Sequence, residues 1–257
     1  MERLAVLASG RGSGFQAIID HIKLDILNNV KVVLLISNNS EAYAIDRARE
    51  NSVKVEYIEG LGGKKFQDTD SRNRAREEFD SKVLDVLRIN HITLVSLAGF
   101  NQIISPVIID EYNMKIMNIH PAYDMQKYGG VGMIGDRVHG SVLANKEKFS
   151  GCTVHYVDYK VDRGPIIINQ KVPIMNNDTI KSLSDRVLVW EHRTYPKAIQ
   201  IHIDNEFERR KNLTEDELIN DAWEMKWNLR QENYLEFQKR NEISMYGDTL
   251  RNILGEY

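Results

Sequence analysis

Cysteine is almost missing from this chain: Cys152 is the single one in 257 residues. An intramolecular disulfide is thereby excluded, and the expected compartment is the cytoplasm. An excess of one charge is lacking too. The formal net charge is -3, so no broad field favours nucleic acid, and no nucleic-acid partner is expected. Long apolar runs are also absent. Met1-Glu2-Arg3 passes straight into Leu4-Ala5-Val6-Leu7, a run too short for the apolar part of a secretory signal or for a membrane span. The expectation is a soluble protein with no membrane partner. Metal-ligand spacing is missing as well: His120, His139 and His155 are dispersed and no His-Glu-x-x-His occurs, so no metal is expected. Cys152, alone in a strand pattern, reads as a small buried residue and not as a nucleophile.

What is present is enough apolar material for a core. At 42% hydrophobic, the chain suits one large domain or one domain with an appendage. Apolar, β-branched runs at Leu4 to Leu7, Val30 to Ile36, Val53 to Ile58 and Ile92 to Leu97 alternate with segments of helical period, Phe15 to Leu27 and Ala42 to Arg49. Strands alternating with helices predict an α/β fold, a mostly parallel sheet with helices on both faces.

Ser9-Gly10-Arg11-Gly12-Ser13-Gly14 lies where the first strand hands over to the first helix. Glycines permit positive φ and close backbone approach, and a helix N-terminus offers free N–H groups to an anion. A phosphate fits this position, and so does a plain βα turn without ligand. The run lacks the Gly-Lys-Ser/Thr ending of a Walker A loop and the full dinucleotide fingerprint.

A further strand, Lys115 to Ile119, ends at His120-Pro121. The carboxyl end of a strand in an open α/β sheet is where ligands bind. Asn118, two residues before His120, projects to the same face, so an amide and an imidazole can act on one atom. Histidine is the side chain best suited to proton movement near neutrality. Asp162 belongs to the turn Asp158 to Gly164 between two strand-like segments; taken alone, an acidic turn residue is more often solvated or caps its own backbone.

Read in order, Val6-Leu7-Ala8-Ser9-Gly10-Arg11-Gly12-Ser13, Leu97-Ala98-Gly99-Phe100, Asn118-Ile119-His120-Pro121, Gly151-Cys152-Thr153-Val154-His155 with Asp162-Arg163-Gly164-Pro165, and Glu191-His192 with Tyr195-Pro196 resemble the folate-dependent formyltransferase family. The resemblance implies a Rossmann-like formyltransferase fold over residues 1-200 and a helical C-terminal extension over 201-257. It implies 10-formyltetrahydrofolate as cosubstrate and a small phosphorylated amine, glycinamide ribonucleotide, as acceptor, in purine biosynthesis. On this resemblance Asn118, His120 and Asp162 are catalytic, and His155 and Thr153 support them. The acceptor's phosphate falls to Gly12, Ser13 and Gly14, and its remainder to Gly99, Ile119 and Glu191. The folate falls to Arg76, Gln102, Ile103, Ile104, Val157 and Asp158.

The chain also departs from that pattern. Gly14 stands where the family usually has Asn, and Asn101-Gln102 replaces Met-Arg. The Ser-Leu-Leu-Pro segment after the histidine is replaced by Ala122-Tyr123-Asp124-Met125 and a longer stretch with Gly129, Gly130, Gly132 and Gly135, where a rigid element is not expected. Either a lid or an inert insertion fits that stretch. The acceptor is therefore open between glycinamide ribonucleotide and another amine, such as an amino sugar nucleotide or a modified nucleotide; a folate- or nucleotide-binding protein without turnover is the further alternative. Relatives acting on methionyl-tRNA lack the glycine turn and carry a C-terminal barrel, and formyltetrahydrofolate hydrolases carry an additional N-terminal domain, so both fit less well.

Beyond residue 200, Thr214 to Glu217 reads as a capping box. Leu218, Ala222, Met225 and Leu229, with Ile219, Trp223 and Trp227, have helical spacing. An amphipathic helix is expected there, packing on the catalytic part or joining two copies in a homodimer. Glu206 to Lys211 is expected to be a solvated surface or linker.

Overall fold

The computed structural model describes residues 1–240, with side chains described as far as residue 237. The first half alternates strictly: β1 (Glu2–Leu7), α1 (Ser13–Lys23), β2 (Val30–Ser37), α2 (Tyr43–Glu50), β3 (Lys54–Tyr57), α3 (Thr69–Ile89), β4 (Leu94–Leu97), α4 (Pro106–Ile109) and β5 (Ile116–His120). There follow α5 (Met125–Tyr128), α6 (Asp136–Ala144), β6 (Phe149–Tyr156), β7 (Ile166–Pro173), α7 (Ile180–Ile203), α8 (Phe207–Arg210), α9 (Glu215–Ile219) and α10 (Ala222–Arg240). The seven strands make one sheet in the order β3-β2-β1-β4-β5-β6-β7. The pairs β1 with β2, β1 with β4, β2 with β3 and β4 with β5 are parallel. The α/β expectation holds, with helices continuing after the last strand. Among the described residues no helix is long and apolar enough to cross a membrane.

Two compact units partition the chain: Met1–Ile19 with Asn29–Ile119 and Val154–Ile166, and Asp20–Asn28 with His120–Thr153 and the chain from Ile167 onward. In the first unit, alternate residues of neighbouring strands, Ala5 and Leu7, Leu34 and Ile36, Val95 and Leu97, join one buried cluster with Phe79, Val83, Leu84 and Leu87 of α3. The strand period of two and the helix period near four both point into that cluster. Burying each of these leucines contributes roughly 1.5–3 kcal/mol. The α3 helix, which the sequence reading passed over, starts from a capping box between Asp68 and Ser71. Asp80, fully buried on α3, accepts from Ser105 N at 2.5 Å, and burial lifts its carboxyl to about 6.

The second unit differs from expectation in two places. The tail is two helices and not one: α9 carries the predicted capping box, the chain breaks at Asn220-Asp221, and α10 follows. Only the aromatic part of the predicted apolar stripe faces inward. Ile219, Met225 and Leu229 are exposed, whereas Trp227 and Tyr234 are buried with Ile26, and Leu24, Trp223 and Phe237 pack on them. Trp227 and Tyr234 lie seven positions apart, two turns along one face, and His21 lies 4.0 Å from the Tyr234 ring. The Glu206 to Lys211 stretch is no simple solvated surface either. Arg210 is 7% exposed, bonded to Asp221 at 3.1 Å and to Glu224 at 2.7 Å, with Trp223 beneath its guanidinium.

Candidate active site

The strand order reverses between β1 and β4, because the chain first adds β2 and β3 on one side of β1 and then returns to the other. Loops leaving the carboxyl ends of strands at such a reversal, here β1 and β4, flank the crevice where these sheets usually bind ligands. The Ser9 to Gly14 turn and the Gly99 to Ile104 loop are those two loops. Ser9 N donates to Gly99 O at 3.0 Å, so they meet. Gly12 has φ +67, and a Cβ there would lie 2.6 Å from the Ala44 Cβ. Only glycine fits that approach. Ser13 and Gly14 open α1, which directs the first amide groups of the helix out of the turn.

Asn101 ties this region together. Its N–H donates to Ser9 Oγ at 3.0 Å, and its Oδ1 accepts from Ser9 Oγ at 3.0 Å and from Asn38 Nδ2 at 2.8 Å. Beside it, Gln102 Oε1 accepts from Leu61 N at 2.6 Å. Two of the positions at which the sequence leaves the family pattern thus bind the loops after β1, β2, β3 and β4 to each other. Sequence reading marked both residues as departures but gave Asn101 no role.

The same unit brings together Asn118, His155 and Asp162. Asn118 Nδ2 is 3.2 Å from His155 Nε2 and 3.4 Å from Asp162 Oδ1. His155 Nε2 and Asp162 Oδ1 are 3.6 Å apart. The other ring nitrogen of His155 is 2.8 Å from Tyr156 O. A carbonyl only accepts, so Nδ1 holds the hydrogen and Nε2 of the neutral ring accepts from Asn118. Asp162 sits at φ +52, a left-handed conformation that costs a non-glycine residue about 1 kcal/mol or more and concentrates at functional sites. Its neighbour Gly164 makes the turn possible, since a Cβ there would lie 1.9 Å from Tyr156 O.

Folate candidates lie in the first unit. Ile104 is buried in the α3 cluster, and Phe100 and Val157 pack against it. Val157 N donates to Ile116 O at 2.8 Å. Asp158 is exposed and accepts from Tyr159 N at 2.5 Å. Arg76, on α3, bonds to Asn73 at 3.2 Å and lies within electrostatic reach of Asp80. Ile103 is half-buried, as is Ile119 on β5.

His120 ends β5 and is 3% exposed, with Nε2 2.8 Å from Tyr128 O. Thr153, fully buried, donates to Ala122 O at 2.8 Å and so fixes the chain just past His120-Pro121. His139, on α6, is buried and close enough to His120 for their charges to repel; burial and then that repulsion lower its pKa, against the pull of Asp136. Neither Tyr128 nor His139 was identified from sequence. Glu191, on α7, has its carboxyl lifted to about 7 by burial alone. Cys152 is fully buried, and burial, followed by the Glu191 charge, pushes its thiol well above the ordinary range. A thiol so held is not a nucleophile. Among the described residues no group of three His, Cys, Asp or Glu side chains is placed to hold a metal ion.

Comparison with known proteins bears on the family and the fold. The formyl transferase family model matches residues 2–199. The phosphoribosylglycinamide formyltransferase of Bacillus subtilis is 31% identical over 200 residues, 78% of this chain and 94% of that protein. A trifunctional purine biosynthetic protein of Chironomus tentans is 33% identical over 201 residues, 78% of this chain but only 14% of its own length; the chain therefore spans about a seventh of that relative. Among solved structures, glycinamide ribonucleotide transformylase 1 from Symbiobacterium toebii superposes with a TM-score of 0.69 at 30% identity, covering 80% of this chain and 89% of that one. The corresponding structure from Geobacillus kaustophilus gives 0.66 at 32% identity, covering 78% and 98%. The chain belongs to the formyl transferase family.

Proposed function

We propose that the protein transfers the formyl group of 10-formyltetrahydrofolate directly to the primary amine of glycinamide ribonucleotide, a step of purine biosynthesis. The observation that carries this reading is the hydrogen-bonded set Asn118, His155 and Asp162, in a unit whose switch-point loops supply a glycine turn for a phosphate. The amine attacks the formyl carbon, and Asn118 with protonated His120 stabilises the developing oxyanion; its collapse breaks the bond from the formyl carbon to N10, and tetrahydrofolate leaves with N10 taking up the proton the amine gives up. The 3.4 Å contact of Asn118 to Asp162 is the weaker of its two and the one an oxyanion replaces. Asp162 then accepts the proton leaving the nitrogen, through water, while His155 keeps the amide oriented. No covalent enzyme intermediate is required.

In this reading residues 1-200 form the catalytic part and 201-257 the extension. Gly12, Ser13 and Gly14 take the acceptor's phosphate, with Gly99, Ile119 and Glu191 on the rest of the acceptor. Gln102, Ile103, Ile104, Val157 and Asp158 line the folate, and Arg76 meets its carboxylate tail. The protein works in the cytoplasm on small molecules. The outward-facing Met225 and Leu229 of α10 support pairing of two copies, which sedimentation would test.

Asn101 and Gln102, the replaced pair, tie neighbouring loops together, and these bonds do not point to a different amine. The deciding experiment incubates the protein with 10-formyltetrahydrofolate and a panel containing glycinamide ribonucleotide, amino sugar nucleotides and water alone. Turnover with glycinamide ribonucleotide is expected. Turnover only with an amino sugar would replace the acceptor, and no turnover with any acceptor would leave a ligand-binding protein.

A further inference from the structure

The stretch after His120, which the sequence left open between lid and inert insertion, begins with a tightly fixed turn. Asp124 caps α5 by accepting from Lys127 N at 3.0 Å. Its carbonyl accepts from Tyr128 N, also at 3.0 Å. The chain leaves the helix at once, through Gly129 in an extended conformation and Gly130 at φ +107. The Tyr128 carbonyl thus ends a helix that no longer continues, and a terminal carbonyl of this kind seeks a donor outside the helix. His120 Nε2, at 2.8 Å, is that donor.

The residue bearing this carbonyl is anchored at its other end. Tyr128 is 4% exposed, and its hydroxyl donates to Glu147 Oε1 at 2.7 Å. The same oxygen receives Lys127 Nζ at 2.5 Å. Those two bonds, Lys127 first and Tyr128 second, hold the Glu147 carboxyl below its ordinary range, so it is ionised at neutral pH. Met125, buried at 1% exposure, fixes the first turn of α5.

We propose that Tyr128, locked by Glu147, is a positioning residue that sets the tautomer of His120. A backbone carbonyl can only accept, so Nε2 carries the hydrogen and the neutral ring keeps its lone pair on Nδ1. Nδ1 is then the nitrogen that takes up the proton of the charged ring and offers it to the oxyanion, and Nε2 is the fixed pivot. The inference rests on the role proposed above for His120.

A measurement independent of turnover tests it. In the full chain labelled with 15N-histidine, long-range 1H–15N spectra report which ring nitrogen bears the hydrogen, and loss of signals in His120→Gln assigns them. The expected result is hydrogen on Nε2 of the neutral ring; hydrogen on Nδ1 overturns the proposal. Glu147→Gln and Tyr128→Phe release the anchor. Both are expected to lower kcat about tenfold or more while KM for both substrates stays within about twofold, and to give a mixed tautomer signal. An unchanged kcat, or a lowered kcat with the wild-type tautomer signal, also overturns it. Wild-type protein without turnover would defeat the formyl-transfer reading instead, and the tautomer measurement would still decide this one.

Discussion

Replacing Glu191 with Gln offers a quantitative test of the α7 environment. The carboxyl sits at about 7 against an ordinary 4.5 because burial disfavours its charge. The folded pKa is the raised one. The stability Glu191 contributes is therefore fully present below about 4.5 and is lost as pH rises through about 7. The gap corresponds to about 3 kcal/mol of differential stability between the two ends of that window. Glutamine keeps the volume and removes the titration. Glu191→Gln is expected to match wild type below about pH 4.5 and to exceed it above pH 7 by a few kcal/mol, which for a protein of this size moves the thermal midpoint by roughly 10 °C. Denaturant melts of both proteins across that range are the assay. Parallel curves, with the Gln variant as pH-sensitive as wild type, would refute the idea that the Glu191 charge is poorly solvated. The same carboxylate is proposed to meet the acceptor, so the stabler variant is expected to have a raised acceptor KM, the usual conflict between a poised site and a comfortable one.

Other expectations concern the chemistry and the supports around it. His120→Ala and Asp162→Asn should each lower kcat/KM by about two to four orders of magnitude with unchanged circular dichroism; near-normal rates in both would remove their assigned roles. Asn101→Leu cuts the side-chain bonds to Ser9 and Asn38 while the main-chain N–H still donates to Ser9 Oγ, and it should raise the acceptor KM about tenfold with little effect on kcat, so steady-state kinetics showing the reverse split would refute its role in holding these loops. Arg210→Ala removes the cation shared by Asp221 and Glu224, which keep Arg209 and Lys197 as partners, and should cost about 1.5–3 kcal/mol in urea unfolding; a loss under about 1 kcal/mol would place those pairs with ordinary surface ones.

Much of the first unit was legible because parallel strands, covered on both faces, must be apolar along their whole length. β1 and β2 start and stop within a few residues of their β-branched runs for that reason. The α3 helix was harder to see: its buried positions, Phe79, Val83, Leu84 and Leu87, all fall in its last three turns, after a charged and solvated beginning. In α10 apolar residues occur on more than one side, so spacing alone grouped Met225 and Leu229 with Trp223 and Trp227, and only the bulkier aromatic side, which Tyr234 continues, packs inward. Asn118 and Asp162 carried chemistry in their side chains and could be found from motif order. Tyr128 could not, because what it offers His120 is a main-chain carbonyl that every residue type possesses.

Asn101 and Gln102 have an evolutionary consequence. Exchanging the pair for Met-Arg would strand Asn38 Nδ2 and the Leu61 amide and leave Ser9 Oγ only the main-chain N–H of residue 101 from this pair. The route between this crevice and that of its relatives therefore passes through coordinated changes in loops far apart along the chain, and a graft of either version into the other scaffold has to move them as a set.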